Sequence, residues 1–573
     1  MQSLIADLAV LLGVLGLTGL SLVGWGRFCA QLMRLNVLQT PLTMLVWLGF
    51  AVVLVLTEAI HLLLPIDWHV SAALGVVGII GTPKARLLSS YRTLRTFVRQ
   101  HPFVFMWAAG WIVLCCMRTT GMPNNFDSGL YHFQSIRWLN EEALAVGLGN
   151  LHWRLALNQS YFGFLALLNV FPLWGHGYAA GGLFLVLLTY ATVLDFLRTE
   201  RMVVRLFVGA VLLTVVSYYA GTLANPSPDT AIALIQIPIC LWLIRLTQID
   251  IKVESNTSRC LVTAILLLSV ALVTIKLSSL VFAGTAVLVG AVVYFKDWKA
   301  NKQQLYRLGL YVVIATAIYT FRGYLLSGYP LFPATLLGNS NLPWALPVGQ
   351  LEYETKLIYS WARAPGVLDP DTVLKNWDWL SSWLSRLPAM VWSELLIGIA
   401  VSVVNCFYLK KGDHSERAAF LAYIPLIAGI VFWFITAPDP RFLGAIPDLF
   451  LSSSLFIFLR LVCSDTLLTR IERAYLVRAP KLFITTLLIL YNLKLIGLGS
   501  LSRTGWMPIQ ESALQENRSR QGALIYTSTA DSQCWNAKLP CAAAFDPKLH
   551  VVEVEIIPYL PIDGLSRKVF SIR

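Results

Sequence analysis

"FVFMWAAGWIVLCCMRTTGMPNNFDSGLYHFQSIRWLNEE", residues 103–142, joins two kinds of chain. Its first fifteen residues are apolar and uncharged and read as a membrane span. Just past that run stand Asp127, His132, Arg137, Glu141 and Glu142. Charges placed where a chain leaves the bilayer need a topology before they can be given a role.

The whole chain has the composition of its opening run. Of 573 residues 57% are hydrophobic and 13% charged, whereas soluble domains are about a quarter charged. The sequence predicts an all-α polytopic membrane protein with about fourteen spans. They fall near 3–24, 43–64, 70–83, 103–118, 178–197, 205–222, 228–246, 259–275, 277–295, 306–325, 390–408, 417–435, 443–462 and 481–500. Residues 1–102 form an N-terminal three-helix module, and 103–500 a membrane core with long loops at 119–177 and 326–389. Residues 501–573 form a polar tail, small and α+β or β-rich.

The net charge of +13 does not point to nucleic acid. There is no basic domain with interleaved aromatics, and Lys and Arg gather in the cytoplasmic loops of membrane proteins. "PKARLLSSYRTLRTFVRQ", "RTERMVVR", "FKDWKANKQQLYR", "LKKGDHSER" and "RIERAYLVRAPK" are the basic connectors, and all five share one side of this span list. That side is then cytoplasmic, and both long loops and the tail face outward. Cysteine usage points the same way. Cys115, Cys116, Cys240 and Cys406 lie in apolar runs, where Cys acts as a small hydrophobe. Cys534 and Cys541, in the polar stretch "CWNAKLPC", read as a disulfide in an oxidising compartment.

Function is therefore expected at the outer face. Asp127 opens a segment with Leu130, Phe133, Ile136 and Leu139 on one face, and Tyr131, Gln134 and Trp138 with Asp127 on another. Such a helix would lie along the interface. Asp127 reads either as a helix cap or as a carboxylate poised to take a proton. His132 reads as a hydrogen-bonding side chain rather than a metal partner of Asp127, and Glu141 and Glu142 as solvent-facing. Arg154 suits a phosphate or carboxylate, or a local salt bridge. Asp229, in "ANPSPDT", either caps the next span or supplies a second carboxylate. Lys276 in "VTIKLSSL", Arg322 in "YTFRGYLLSGYPLFP" and Arg441 in "TAPDPRFLG" stand at outer span ends. Singly each could snorkel; together they suit a lipid phosphate or pyrophosphate, with Asp439 able to orient Arg441. Glu58 and His61, inside an apolar run, read as a structural polar contact or a proton relay. No Walker loop, dinucleotide fingerprint, GxSxG or HExxH occurs.

The acidic residue after an early span, the later acidic turn and the cations at outer span ends resemble GT-C glycosyltransferases. More closely, "DSGLYHFQSIRWLNEE…GLGNLHWRLALNQS", "SGYPLFP", "PDPRF" and "CWNAKLPC" look like a family of bacterial polytopic proteins associated with surface-polysaccharide genes. The resemblance runs from about 103 to 541, and the three-helix module is an addition to the usual GT-C start. It implies an inverting enzyme in the bacterial inner membrane that transfers a hexosyl or pentosyl unit from a polyprenyl-phosphate-linked donor. The acceptor would be a glycan, lipid or protein. Asp127 would be the base, Asp229 and His132 would assist the acceptor or hold a metal, and Lys276, Arg322, Arg441 and Arg154 would bind the donor phosphate. The resemblance leaves room for a divalent cation, Mg or Mn. Two other classes remain open: a polysaccharide polymerase or ligase, in which Arg363 of the long loop would matter more than Asp127, and a flippase or transporter of lipid-linked sugars.

Overall fold

The computed structural model describes residues 2–462, apart from 249–255, 296–297, 409–417 and a few single positions, together with most of 506–555 and 566–572. Helices dominate. Among the described residues, eight are long and apolar enough to cross a membrane: Leu4–Leu32, Leu42–His61, Gly177–Arg198, Pro228–Gln248, Asn256–Ile275, Leu277–Tyr294, Lys302–Ser327 and Ala389–Tyr408. Shorter apolar helices cover Trp68–Gly81, Ala108–Thr119, Phe207–Ala220 and Phe420–Thr436. Helices are what such a composition must form, because hydrocarbon offers the backbone no other hydrogen-bond partners. The protein is a membrane-embedded helical protein. The expected span 481–500 and the basic connectors 409–417 and 470–481 lie outside the described residues.

Pro228–Gln248 is the most enclosed of the eight, with 94% of its apolar window buried. Others bury one side only; Ala389–Tyr408 buries 17% of its window, which leaves the rest for lipid. The first two helices pack backbone to backbone. A Cβ on Gly26 would stand 1.8 Å from the Leu45 carbonyl oxygen, and one on Gly49 would stand 1.9 Å from that of Leu22. Only glycine permits that approach, the usual device where close packing rather than water exclusion holds helices together. The second helix also packs on Tyr161–Leu168, Gly177–Arg198 and Asn256–Ile275, so the N-terminal helices are built into the core.

Charged groups collect at opposite ends of the bundle. At one end Glu200 pairs with Arg245 at 2.8 Å and with Arg460 at 3.6 Å. The other end gathers Asp127, Arg154, Asp229, Lys276 and Arg441.

The tail is β-structured. β1 (Leu514–Arg518) pairs antiparallel with β2 (Leu524–Ser528), Glu516 opposite Tyr526. β3 (Cys541–Ala542) joins β2 in parallel. The turn between β1 and β2 closes through Gly522, whose φ of 86° is costly for any residue with a Cβ. β4 (His550–Glu555) pairs antiparallel with β5 (Ser566–Ser571), Val552 opposite Val569. β5 reaches the membrane core, where Val569 bridges Val146 and Phe570 N donates to the Val146 carbonyl.

This docking changes the reading of residues 127–142. A π-helical turn, Ser128–His132, leads into the helix Phe133–Glu141. Phe133, Ile136 and Leu139 are buried as the apolar pattern requires, but Tyr131, Gln134 and Trp138 are buried too. The segment therefore does not float with one face in water, because the tail covers its second face. Glu141 is exposed, as expected, and Glu142 is half-buried; both are ion-paired. Glu141 pairs with Arg137, and Glu142 with Lys568 of β5.

Candidate active site

Asp127 sits on the first turn after the helix Pro102–Thr119. Its backbone is placed from both sides. Asn225 Oδ1 accepts from the Asn124 and Asn125 amides at 2.9 and 3.0 Å, and Asn125 Oδ1 accepts from the Asp127 amide at 3.0 Å. The capping role thus falls to Asn125. The Asp127 side chain makes no cap hydrogen bond; its carboxylate is turned to cations instead. Arg154 Nη1 donates to Oδ1 at 2.5 Å, and Arg441 Nη1 stands 3.6 Å from Oδ2.

Arg441 is oriented by its neighbour. Asp439 Oδ1 caps the short helix Pro440–Leu443 by accepting from the Arg441 amide at 2.9 Å, and Oδ2 takes Nη2 at 3.2 Å. Burial opposes the charge on Arg441, but Asp439, then Asp229 and Asp127, outweigh it and raise the guanidinium above its ordinary value. A second pair lies alongside. Lys276, just past Asn256–Ile275, donates to Asp229 in the first turn of Pro228–Gln248. Phe442 joins the two pairs. Lys276 Nζ stands 4.0 Å from its ring centroid and the Arg441 guanidinium 5.6 Å, distances at which a π face favours a cation. Arg154 in turn lies over Trp153 at 5.0 Å and Tyr131 at 5.6 Å.

His132 feels all of this. Burial is the main cause that lowers its imidazole to about 3, with Asp229 opposing and Lys276, Arg154 and Arg441 adding to it. It is neutral at physiological pH, and its Nδ1 has no hydrogen-bond partner among the described residues. The expected hydrogen-bonding role is therefore not made through Nδ1. No group of three metal-ligating side chains forms among the described residues. Asp127 and Asp229 are each already paired with a cation, so as arranged these residues do not fit a divalent ion.

Arg322 stands apart. Its guanidinium donates to Asn158 Oδ1 at 3.0 Å, to the Glu58 carbonyl at 3.3 Å and to His61 Nδ1 at 2.9 Å, with the Glu58 carboxylate at 3.9 Å. It is 7% exposed. A cavity of about 40 Å³, lined in part by Arg154, Asn158, Gln159 and Arg322, separates this network from the Asp127 pair, enough for a few waters. Glu58 and His61 are thus partners of Arg322. Arg363 is also occupied: it donates to the carbonyls of Thr436 and Ile435 at 2.6 and 2.7 Å and so ties the long loop to the segment leading to Arg441.

Three further features were not singled out by the sequence. Glu354, on the loop helix Val348–Arg363, is buried with Oε2 unbonded. Glu394 and Asp448 are two buried carboxyl groups close enough to act on each other. The third is the clamp that the tail places on the Asp127 turn. Gln533 Nε2 donates to the Phe126 carbonyl at 2.7 Å, Trp535 N to that of Gly129 at 2.8 Å, and Gln134 Nε2 to those of Trp535 and Ala537, both at 3.0 Å. A disulfide, Cys534–Cys541, closes the clamping loop. Gly129 must be glycine here, since a Cβ would lie 2.5 Å from the Trp535 ring.

Residues 8–446 match the family described as Domain of unknown function (DUF8201), and the chain belongs to that family. The match starts in the first helix, so it takes in the N-terminal helices, and it stops before the tail. No curated protein and no solved structure matches the chain.

Proposed function

We propose that the chain is an inverting, GT-C-type glycosyltransferase with about fourteen spans, set in a bacterial inner membrane with its site on the outer side. Its donor would be a sugar carried on a polyprenyl phosphate. The observation that carries this reading is the pairing of Asp127 with both Arg154 and Arg441, beside Asp229–Lys276. A single displacement needs one base and a stabilised leaving group. Here a carboxylate and three cations meet where helices end.

The chemistry follows from that placement. The acceptor hydroxyl attacks the anomeric carbon and forms the new C–O bond. Its proton passes to Asp127. The bond from that carbon to the phosphate oxygen breaks, and the lipid phosphate leaves with the electron pair. Lys276, Arg441 and Arg154 meet the charge as it develops. The donor phosphate competes with Asp127 for the same guanidinium groups. As they turn toward it, the Asp127 carboxylate is freed to face the acceptor hydroxyl. Next to Phe442 lies a recess of about 30 Å³ whose lining mixes Phe282, Phe432, Trp433 and Leu443 with Gln236, Ser278, Ser279 and Thr436.

Deleting the gene should change the lipid-linked or surface glycans, and the wild-type gene should restore them. An unchanged glycan profile, or full restoration by Asp127→Asn, would sink the reading.

A further inference from the structure

The basic stretch that follows the third helix is itself a helix, Lys84–Gln100, of 17 residues. It joins two apolar helices, Trp68–Gly81 and Pro102–Thr119. Lys84, Arg92, Arg95 and Arg99 are all exposed on it. Arg92, Arg95 and Arg99 recur at i, i+3 and i+7, the spacing of a single helix face. Lys84 falls on the same side. The four cations therefore share an arc of about 80° along about 22 Å of helix. None of them forms an ion pair among the described residues, and no Asp or Glu occurs from residue 68 to residue 126.

Basic connectors orient membrane proteins by the number of their charges, whichever face those charges occupy. Alignment into one uncompensated stripe is a further feature, and it suits a row of anions. The flanking helices say where that row lies. Ile80 is 77% exposed at the end of Trp68–Gly81, and Met106 is 57% exposed near the start of Pro102–Thr119. In a membrane-embedded protein such apolar surfaces face lipid. Lys84 follows Ile80 by four residues, and Arg99 precedes Met106 by seven. Both ends of the stripe thus adjoin hydrocarbon, and the layer next to hydrocarbon is that of the headgroups. Leu88 and Tyr91, exposed among the cations, suit the boundary between headgroups and acyl chains.

We propose that Lys84, Arg92, Arg95 and Arg99 form a docking stripe for the phosphate groups of anionic phospholipids. The cations donate N–H bonds to lipid phosphate oxygens, and Leu88 and Tyr91 sit between the lipids they hold. The stripe uses no residue of the Asp127 site and stands whether or not the chain transfers sugars.

The test uses the full-length protein in nanodiscs of phosphatidylcholine and phosphatidylglycerol. Native mass spectrometry of the released protein counts the lipids of each kind that it retains. Wild type should retain phosphatidylglycerol in preference, and high salt should weaken that preference, because exposed charges are screened. Hydrogen exchange over residues 84–100 should slow when phosphatidylglycerol is added to phosphatidylcholine discs. A basic residue near an anionic surface adds roughly fivefold to binding. Arg92→Gln, Arg95→Gln and Arg99→Gln together should therefore cut the preference about ten- to hundred-fold. A second variant keeps the net charge: Arg92→Thr, Thr93→Arg, Arg95→Thr and Thr96→Arg move two cations off the stripe. It should lose about tenfold of the preference, together with the slowed exchange. Both variants should melt as wild type does in phosphatidylcholine discs; if either unfolds, the salt and exchange measurements on wild type still decide. Wild-type preference in the charge-conserving variant would show that only charge number matters, and would overturn the stripe. Equal retention of the two lipids by wild type would overturn it as well. So would protection of residues 84–100 by an added poly-glutamate peptide but not by phosphatidylglycerol, which would assign the face to an acidic protein instead.

Discussion

Arg154 donates to the Asp127 carboxylate at 2.5 Å, although 27 residues separate them in the chain. That contact turns the Asp127 side chain toward a cation rather than into a cap, because the cap it could have formed is supplied by Asn125. Asp127→Asn removes no capping bond. It loosens a partly exposed ion pair, worth about 1 kcal/mol at most. Melting should move by a few degrees at most, while glycan transfer falls about 10²–10⁴-fold. Near-normal transfer by the Asn variant would remove Asp127 from the chemistry.

The cations should divide by environment. Arg441→Gln and Lys276→Gln act on half-open groups and should cut donor use about ten- to hundred-fold with little loss of stability. Arg322→Gln should behave differently, because it strands the buried Glu58 carboxylate without its countercharge. The cost expected is about 3–5 kcal/mol, visible in thermal unfolding. Equal melting of the three variants would contradict the separation of Arg322 from the Asp127 site.

Gly129→Ala tests the clamp. The added methyl would stand 2.5 Å from the Trp535 ring, so the ring or the turn has to give, at a cost of about 1–3 kcal/mol. Hydrogen exchange should quicken at residues 533–537 and in the Asp127 turn before it changes in the spans. Uniform or absent change would show that the tail does not hold this segment. Mass spectrometry without reductant should also recover a Cys534–Cys541 linked peptide; two free thiols would refute the loop.

His132 sets a pH dependence whose sign is fixed. Its folded value of about 3 lies below the ordinary value near 6.5. Between those values the unfolded chain takes a proton that the folded chain refuses, so stability falls as pH drops from about 6.5 toward 3. His132→Gln cannot take that proton. Its melting temperature should decline less steeply than wild type between pH 6.5 and 4. Parallel curves would mean that His132 is open to protons in the folded state.

The sequence shows the helical membrane architecture because hydrocarbon imposes one solution on long apolar runs. It also brings Asp229, Lys276 and Arg441 into view at the ends of apolar runs, and Asp127 and Arg154 in the first long loop. Arg322 has the same local signature, and its sequence neighbours do not reveal that Glu58 and His61, some 260 residues away, enclose it. Glu354 was legible in one respect: it follows Leu351 by three residues, on the apolar face of an amphipathic helix. Glu352, two residues earlier, faces outward, so composition alone does not choose between them. The burial of Gln134 and Trp138 was not legible at all, because the surface that covers them is encoded some 400 residues downstream.

That distance also orders events in time. Phe126 is gripped by Gln533, 407 positions further along. While the chain is being made, the helices around Asp127 can enter the membrane and pair long before Gln533 and Trp535 leave the ribosome. Through that interval the turn carrying Asp127 lacks its outer support, and the site stays incomplete. A translation product that stops short of residue 533 would keep its spans and never acquire the clamp. Only a chain that includes Gln533 and Trp535 can make the contacts that hold the Asp127 turn.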